Sequence, residues 1–424
     1  MSTALNTDRY ELTMLQAALR SGKADRKCVF EVFTRQLPAG RRYGVVAGTG
    51  RVLEAIQNFR FGDQELSFLA QNQVVDSETL KWLEGYRFTG NVSGYQEGEL
   101  YFGHSPILTV EGSFAEAVIL ETVILSILNY DSAVASAAAR MKSVANGRRL
   151  IEMGSRRAHE EAAIAAARAA YIAGFDATSN LAAGSRYGIE TTGTSAHAFT
   201  LLHDNEEQAF EAQLASMGND TTLLVDTYDV RNAVETAVRL SGGKIRAVRL
   251  DSGDLATSAV EVRKQLDELG AKQTKITVTS DLDEYTIAAL AIAPIDSYGV
   301  GTSLVTGSGF PTAGFVYKLV AHTDNGDWVD VAKTSKLKTN RGGRKYASRA
   351  LERGVVKTEL ISSELQAGRA LQVEMIANGE IALDLMGQTA VEKAREHHKL
   401  AIAELPAGAL RLSRGEPGVP VEFI

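Results

Sequence analysis

Only one cysteine, Cys28, occurs in the 424 residues, so no intrachain disulfide can form and a cysteine-rich zinc site is excluded. A reducing compartment, the cytoplasm, is expected. Proline is scarce too, with 7 residues, and no Pro-rich or low-complexity tract divides the chain. Domain boundaries must therefore come from changes of pattern. Positive charge is in deficit: 45 Lys+Arg against 52 Asp+Glu leave a net charge of −7. Such a chain offers no global field for nucleic acid or an anionic membrane, and any anionic ligand must be held by a local pocket. No uncharged apolar run reaches the roughly 18 residues of a membrane span. The most apolar stretch, Phe114 to Leu128, is interrupted by Glu116 and Glu121 and reads as a buried helix. MSTALNTDRYELTML carries early acidic residues and no apolar core, so no signal peptide is expected. With 45% hydrophobic and 23% charged residues, the chain has the balance of a globular protein with a sizeable core.

Three regions emerge. Residues 1–112 read as α+β, with a helix near Glu11 to Ser21 and strand-like runs at Cys28 to Arg35 and Val92 to Tyr95. Residues 113–316 open on a capping box, Ser113 with Glu116, ahead of AVILETVILSIL, and Asp131 suits the cap of a second helix. From Arg149 to Ser303, short apolar runs alternate with helical patterns, which predicts βα units and a parallel sheet. The runs are RLIEM, FDAT, IETT, TLLV, IRAVRL, KITVT and IDSYGV. The helices are expected at His159 to Ala173, Glu206 to Met217, Val230 to Ser241, Ala256 to Leu269 and Asp283 to Ala291. Seven strands predict an incomplete or closed α/β barrel. In residues 317–424, VYKLVAHTDNGDWVDVAKTSK reads as a hairpin around Asn325-Gly326 and Thr389 to Leu405 as a helix. This smaller terminal domain is expected to pack with the N-terminal region.

Polar and glycine-rich residues cluster after each run, at the strands' carboxyl ends: MGSRR, TSN, TGTSAH, VDTYD, RLDSGD, TSDLD and GVGTS. That is the face on which α/β barrels build active sites. Turn chemistry alone accounts for Gly, Ser and Asp there but poorly for Arg156, His197 and Arg249. His197 could be a nucleophile, an acid/base or a phosphoryl carrier, with a structural histidine as the competing reading. Asp226 could accept an imidazole proton, while Asp229 suits a helix cap. Arg249 could hold a carboxylate or phosphate, Asp251 and Asp254 a ribose or hydrated Mg²⁺, with a plain cap competing for Asp254. Gly299, Gly301 and Thr302 lie in a loop whose amides could cradle phosphate, and Arg156 with Arg157 completes a cationic rim. A ligand with several phosphates fits this set. His397 and His398 read as solvated and His159 as a helix-face residue. No HExxH spacing occurs, and no lysine stands at a strand end for Schiff-base chemistry.

Eight motifs in order, TDRYELTM, ILTVEGSFAEAVILET, EMGSRRAHE, GTSAHAF, VDTYDV, RLDSGDL, YGVGTSLVTG and FVYKL, resemble the nicotinate phosphoribosyltransferase family over most of the chain. The resemblance implies a TIM-like incomplete α/β barrel of the type II phosphoribosyltransferase class, with a smaller α+β domain from the N- and C-terminal regions. It implies that nicotinate is joined to 5-phosphoribosyl-1-pyrophosphate, giving nicotinate mononucleotide and pyrophosphate in NAD salvage. ATP is the implied co-substrate, with Mg²⁺ as cofactor. His197 would become a phosphohistidine oriented by Asp226. Arg249 and Ser179 would read the nicotinate carboxylate, and Asp251 and Asp254 would serve ribose and Mg²⁺-pyrophosphate. Arg156, Gly301 and Thr302 would hold phosphate. Asp8 and Tyr10 would reach a neighbour's pocket in a homodimer with shared active sites, Tyr10 stacking on the pyridine ring opposite Met153. Met153 and Ser179 stand where the nicotinamide-using relatives carry an aromatic and an acid, which favours the acid substrate over the amide. The competing readings are quinolinate phosphoribosyltransferase, without ATP, and a silent sensor of phosphoribosyl compounds.

Overall fold

The computed structural model describes residues 2–333 and 341–424, so the Lys336 end of the expected hairpin region lies outside the described residues. The chain divides into two compact units, residues 137–309 and residues 1–136 with 310–424.

The first of these carries six parallel strands: β1 (Arg149–Glu152), β2 (Ala177–Thr178), β3 (Thr222–Leu224), β4 (Ala247–Leu250), β5 (Lys275–Val278) and β6 (Ser297–Val300). Their order is β2-β1-β6-β5-β4-β3, a curled open sheet and hence an incomplete TIM-like barrel. The inner residues are the β-branched and leucine side chains the runs supplied, with Leu150, Val248, Ile276, Val278 and Val300 fully buried. Helices Glu160–Ile172, Glu206–Met217, Val230–Ser241 and Leu255–Glu268 return the chain between strands. Asp229 and Asp254 cap their helices as the sequence suggested, Asn205 caps a third, and His159, expected on a helix face, is instead the cap of the first, its Nδ1 accepting the Glu161 amide.

The expected seventh strand, IETT, does not form. Thr191 makes a single parallel bridge to Thr178, because β2 is two residues long and the chain turns at Ser179 into the Asn180-capped helix Leu181–Tyr187. A second correction concerns Asp131. Helix Glu121–Val144 runs unbroken through Asn129 to Ser132, and Asp131 is a fully buried carboxylate paired with Arg51 at 2.7 Å. The pattern break there marks a buried ion pair. The boundary between the units falls inside this helix, where sequence reading put one at 112/113.

The terminal unit is the larger of the two. Its main sheet is antiparallel throughout, in the order Asp327–Asp330, Phe315–Asp324, Lys27–Thr34, Leu108–Ser113, Asn91–Tyr95, Gln372–Ala377, Glu380–Ile381. The hairpin turns at Asn325 and Gly326, both at positive φ, as the Asn-Gly pair predicts. The Ser113–Glu116 capping box is present. Segment Phe114–Val144 has the length and hydropathy of a membrane span, yet 61% of its most apolar window is buried, the mark of a core helix.

His397 and His398 correct another expectation. Helix Gly387–Ala403 packs on Gly98, whose φ of +86° and missing Cβ allow the approach: a Cβ there would lie 2.3 Å from the Ala394 carbonyl. His398 is buried with Nδ1 2.9 Å from the Gly98 carbonyl, and His397 Nε2 stands 2.9 Å from Glu99. Glu99 is itself bound to Arg349 and Arg369. Glu392, Lys393, Glu396 and Lys399 on the same helix are exposed, but the two histidines face a buried ionic network.

Candidate active site

The strand-end loops of the parallel sheet enclose a polar cavity of about 230 Å³ lined by Met153, Arg156, Arg157, Arg249, Asp251, Thr279, Ser280, Asp281, Gly299, Gly301 and Thr302. Eight of the predicted site residues meet there, drawn from β4 and β6 and the turns after β1, β4 and β6. They do so because a parallel sheet places every carboxyl end on one rim.

Arg249 is held rather than free. Its Nε donates to Thr279 Oγ1 at 2.8 Å, one terminal nitrogen to Thr194 Oγ1 at 2.9 Å and the Ser195 carbonyl at 3.3 Å, and the other to Asp251 Oδ1 at 2.8 Å. Thr279 also donates to Asp251. Burial raises the Asp251 carboxyl, but the bonds from Thr279 and Arg249 and the guanidinium charge outweigh it, holding the group below the usual carboxylate range. Asp251 is therefore an anion on the cavity wall. Arg156 and Arg157, on a single 3₁₀ turn, are exposed and have no ion pair among the described residues. They are the cations left for a ligand.

Gly299 is required by packing. A Cβ there would lie 2.6 Å from Thr279 Cγ2 and 2.7 Å from Met153 Sδ, so the glycine lets the Met153 thioether enter the cavity wall. Ser280 holds φ at +132°, where a non-glycine residue costs about 1–3 kcal/mol. Thr279, Ser280 and Asp281 were legible only as a strand-end loop, TSDLD, with nothing in their types to single them out.

His197 begins helix His197–Leu202 beside this cavity. Its Nδ1 lies 3.1 Å from Thr227 Oγ1, while Nε2 is 3.8 Å from Asp226 Oδ1 and 3.9 Å from Asp251 Oδ2, beyond hydrogen-bond length. The orienting contact is thus Thr227, a residue sequence reading passed over. Asp226 uses Oδ2 to accept from the Asp251 amide and Ser252 Oγ, each at 2.8 Å, tying the β3 and β4 loops together. Its Oδ1 is buried without a partner.

Ser179 is exposed and outside the cavity lining, its amide donating to the Glu152 carbonyl at 2.8 Å. Asp254 spends both carboxylate oxygens on Thr257 as a helix cap. In the other unit, Asp8 occupies the cap position of helix Arg9–Arg20 without a side-chain cap bond. Tyr10 on that helix is 45% exposed, and partial burial with Glu121 and Glu11 nearby pushes its phenol above the ordinary range. Among the described residues, no group of three His, Cys, Asp or Glu side chains is placed to hold a metal ion.

Residues 5–129 match the nicotinate phosphoribosyltransferase N-terminal domain and residues 148–358 the nicotinate phosphoribosyltransferase family. The chain is 53% identical to nicotinate phosphoribosyltransferase pncB1 of Mycobacterium tuberculosis over 99% of this chain and 95% of that one. It is 41% identical to nicotinate phosphoribosyltransferase of Bacillus subtilis over 82% and 74%. The crystal structure of human nicotinic acid phosphoribosyltransferase superimposes with a TM-score of 0.83 and 26% identity, covering 98% of this chain and 97% of that one. With both its unit architectures and its ordered motifs accounted for, this chain belongs to the nicotinate phosphoribosyltransferase family.

Proposed function

We propose that the protein joins nicotinate to 5-phosphoribosyl-1-pyrophosphate, releasing pyrophosphate, and that it couples this reaction to ATP through phosphorylation of His197. The observation that supports the reading best is the convergence of Arg156, Arg157, Arg249 and Asp251 on one strand-end cavity. When the ribose C1–O bond to pyrophosphate breaks, positive charge develops at C1 and negative charge on the leaving group. The Asp251 carboxylate stands to stabilise the first and the two unpaired arginines the second. The pyridine nitrogen lone pair forms the new C1–N bond, with the ring lying against Met153.

Arg249 has one terminal N–H direction left, so its grip on the nicotinate carboxylate is a single charge-assisted bond complemented by Ser179. For His197, the tautomer with Nδ1–H donating to Thr227 would leave a lone pair on Nε2, the nitrogen nearer the Asp226 and Asp251 carboxylates. The N–P bond forms there as the bond from the γ-phosphorus to its bridging oxygen breaks and ADP leaves. Mg²⁺, if bound, would supply counter-charge to pyrophosphate and ATP. Asp251 has one oxygen free of hydrogen bonds to meet it, whereas Asp254 is committed to its cap. The same reading makes the enzyme a cytoplasmic homodimer acting in NAD salvage, with Asp8 and Tyr10 entering the neighbour's site.

The test offers nicotinate, nicotinamide and quinolinate separately with phosphoribosyl pyrophosphate and Mg²⁺, with and without ATP. Mononucleotide from nicotinate, stimulated by ATP, is expected. Product from quinolinate instead would move the protein to the decarboxylating relatives, and no product from any of them would leave a binding role.

A further inference from the structure

Glu152, the last residue of β1, is a carboxylate with no exposed surface, and the reaction above gives it no part. One oxygen accepts the Gly154 amide and the other the Thr178 hydroxyl, while its own carbonyl accepts the Ser179 amide at 2.8 Å. No cation pairs with it among the described residues. Burial therefore pushes its carboxyl above the usual range, with the bonds from Thr178 and Gly154 offsetting only part. An uncompensated buried acid is costly, and a plain packing role would be filled better by an apolar side chain.

Its neighbours explain what it does. Gly154 opens the turn that carries Arg156 and Arg157, and the turn is clamped from the far side: a Cβ at Gly154 would lie 2.3 Å from Val305 and 3.0 Å from the Gly301 carbonyl. Met153 is fixed by its amide to the Val300 carbonyl at 2.8 Å. Thr178 accepts the Asn180 amide at 2.9 Å, and the Asn180 side chain donates to Ser155 at 2.9 Å, returning to the first turn. One buried side chain thus joins the loop presenting Met153 to the loop presenting Ser179.

We propose that Glu152 is the positioning residue that sets the spacing between the Met153 and Ser179 turns and so the enzyme's affinity for the pyridine carboxylate. The proposal rests on the functional reading above. What the site needs from Glu152 is two tethers rather than charge, so an amide can hold them: Gln Oε1 accepts the Gly154 amide, and its NH₂ donates to the second lone pair of the Thr178 oxygen, reversing the bond that Thr178 now donates.

The test compares wild type with Glu152→Gln, Glu152→Ala and Thr178→Val in steady-state synthesis, varying nicotinate and phosphoribosyl pyrophosphate in turn, with melting temperature measured alongside. Glu152→Ala and Thr178→Val should raise the nicotinate KM tenfold or more. The phosphoribosyl pyrophosphate KM, which depends on Arg156 and Arg157 further along the same turn, should rise at least threefold less than the nicotinate KM, and kcat should stay within threefold. Glu152→Gln should remain within threefold of wild type throughout. Unchanged nicotinate KM in Thr178→Val, equal losses for both substrates, or a Gln variant as impaired as the Ala variant would overturn the assignment. Should Glu152→Ala fail to fold, Thr178→Val decides alone. Wild type that makes no mononucleotide would overturn the functional reading itself, and this is seen without any variant.

Discussion

Replacing Thr279 by Val keeps the volume of a buried side chain and removes one oxygen, the atom that accepts from Arg249 at 2.8 Å and donates to Asp251. Both partners are charged and face the cavity, so the loss is that of a hydrogen bond to a charged group, about 1.5–3 kcal/mol. At about 1.4 kcal/mol per tenfold, kcat/KM should fall roughly 10- to 150-fold. A second consequence is a shift along pH. Asp251 is held below the usual carboxylate range partly by Thr279, and it acts as an anion; without that bond its protonation moves to higher pH. The acid limb of the kcat/KM profile should therefore shift upward. Thr279→Ser restores the oxygen and should restore both quantities. The assay is initial-rate mononucleotide formation from pH 5 to 9, with melting temperatures to exclude a folding defect. A folded Thr279→Val enzyme with wild-type kcat/KM and an unmoved acid limb would refute the argument that the Arg249–Thr279–Asp251 chain sets the chemistry.

Two further outcomes follow from the proposed function and one from the fold. Arg249→Ala should raise the nicotinate KM by at least tenfold and Ser179→Asp should depress nicotinate use; wild-type kinetics in both would remove them from the carboxylate subsite. If the protein forms the proposed dimer with Tyr10 in its neighbour's site, inactive Tyr10→Ala and inactive His197→Ala subunits, mixed under proven exchange, should recover activity because a mixed dimer would contain one intact site; no recovery would place Tyr10 outside a shared pocket. His398, fully buried, is pushed down to about 4 by burial, the Gly98 carbonyl opposing only weakly. Its folded value lies below the ordinary one near 6.5, so its contribution is present above that pH and lost as pH falls toward 4, by up to about 3 kcal/mol. Melting temperature should drop over that window in wild type and drop less in His398→Gln; identical curves would contradict the burial account.

Much of the active face was legible because two signals coincided, strand-length apolar runs and polar residues directly after them. Helix ends such as Asp229 and Asp254 were legible for a local reason, the cap's bond to an amide three residues on. What escaped is what only tertiary packing decides. Asp131 broke an apolar run and resembled a cap, but its partner Arg51 is 80 residues away. His397 and His398 sit on a polar helix, but their own partners are Glu99 and Gly98, some 300 residues distant in the chain. Thr227 and Thr279, the hydroxyls that orient His197 and Arg249, carry no signal in a strand-end loop rich in Ser and Thr. Glu152 lies inside the run RLIEM with nothing there to single it out, and only its two tethers show it joining two loops.

The account stands most directly on the stoichiometry of coupling at His197. Wild type given nicotinate, phosphoribosyl pyrophosphate, Mg²⁺ and γ-labelled ATP should acquire an acid-labile phosphoryl label and release about one ADP per nicotinate mononucleotide formed. His197→Ala should take up no label and make mononucleotide at a rate indifferent to ATP. Persistent acid-labile labelling in His197→Ala, or ATP stimulation that survives the substitution, would contradict the account.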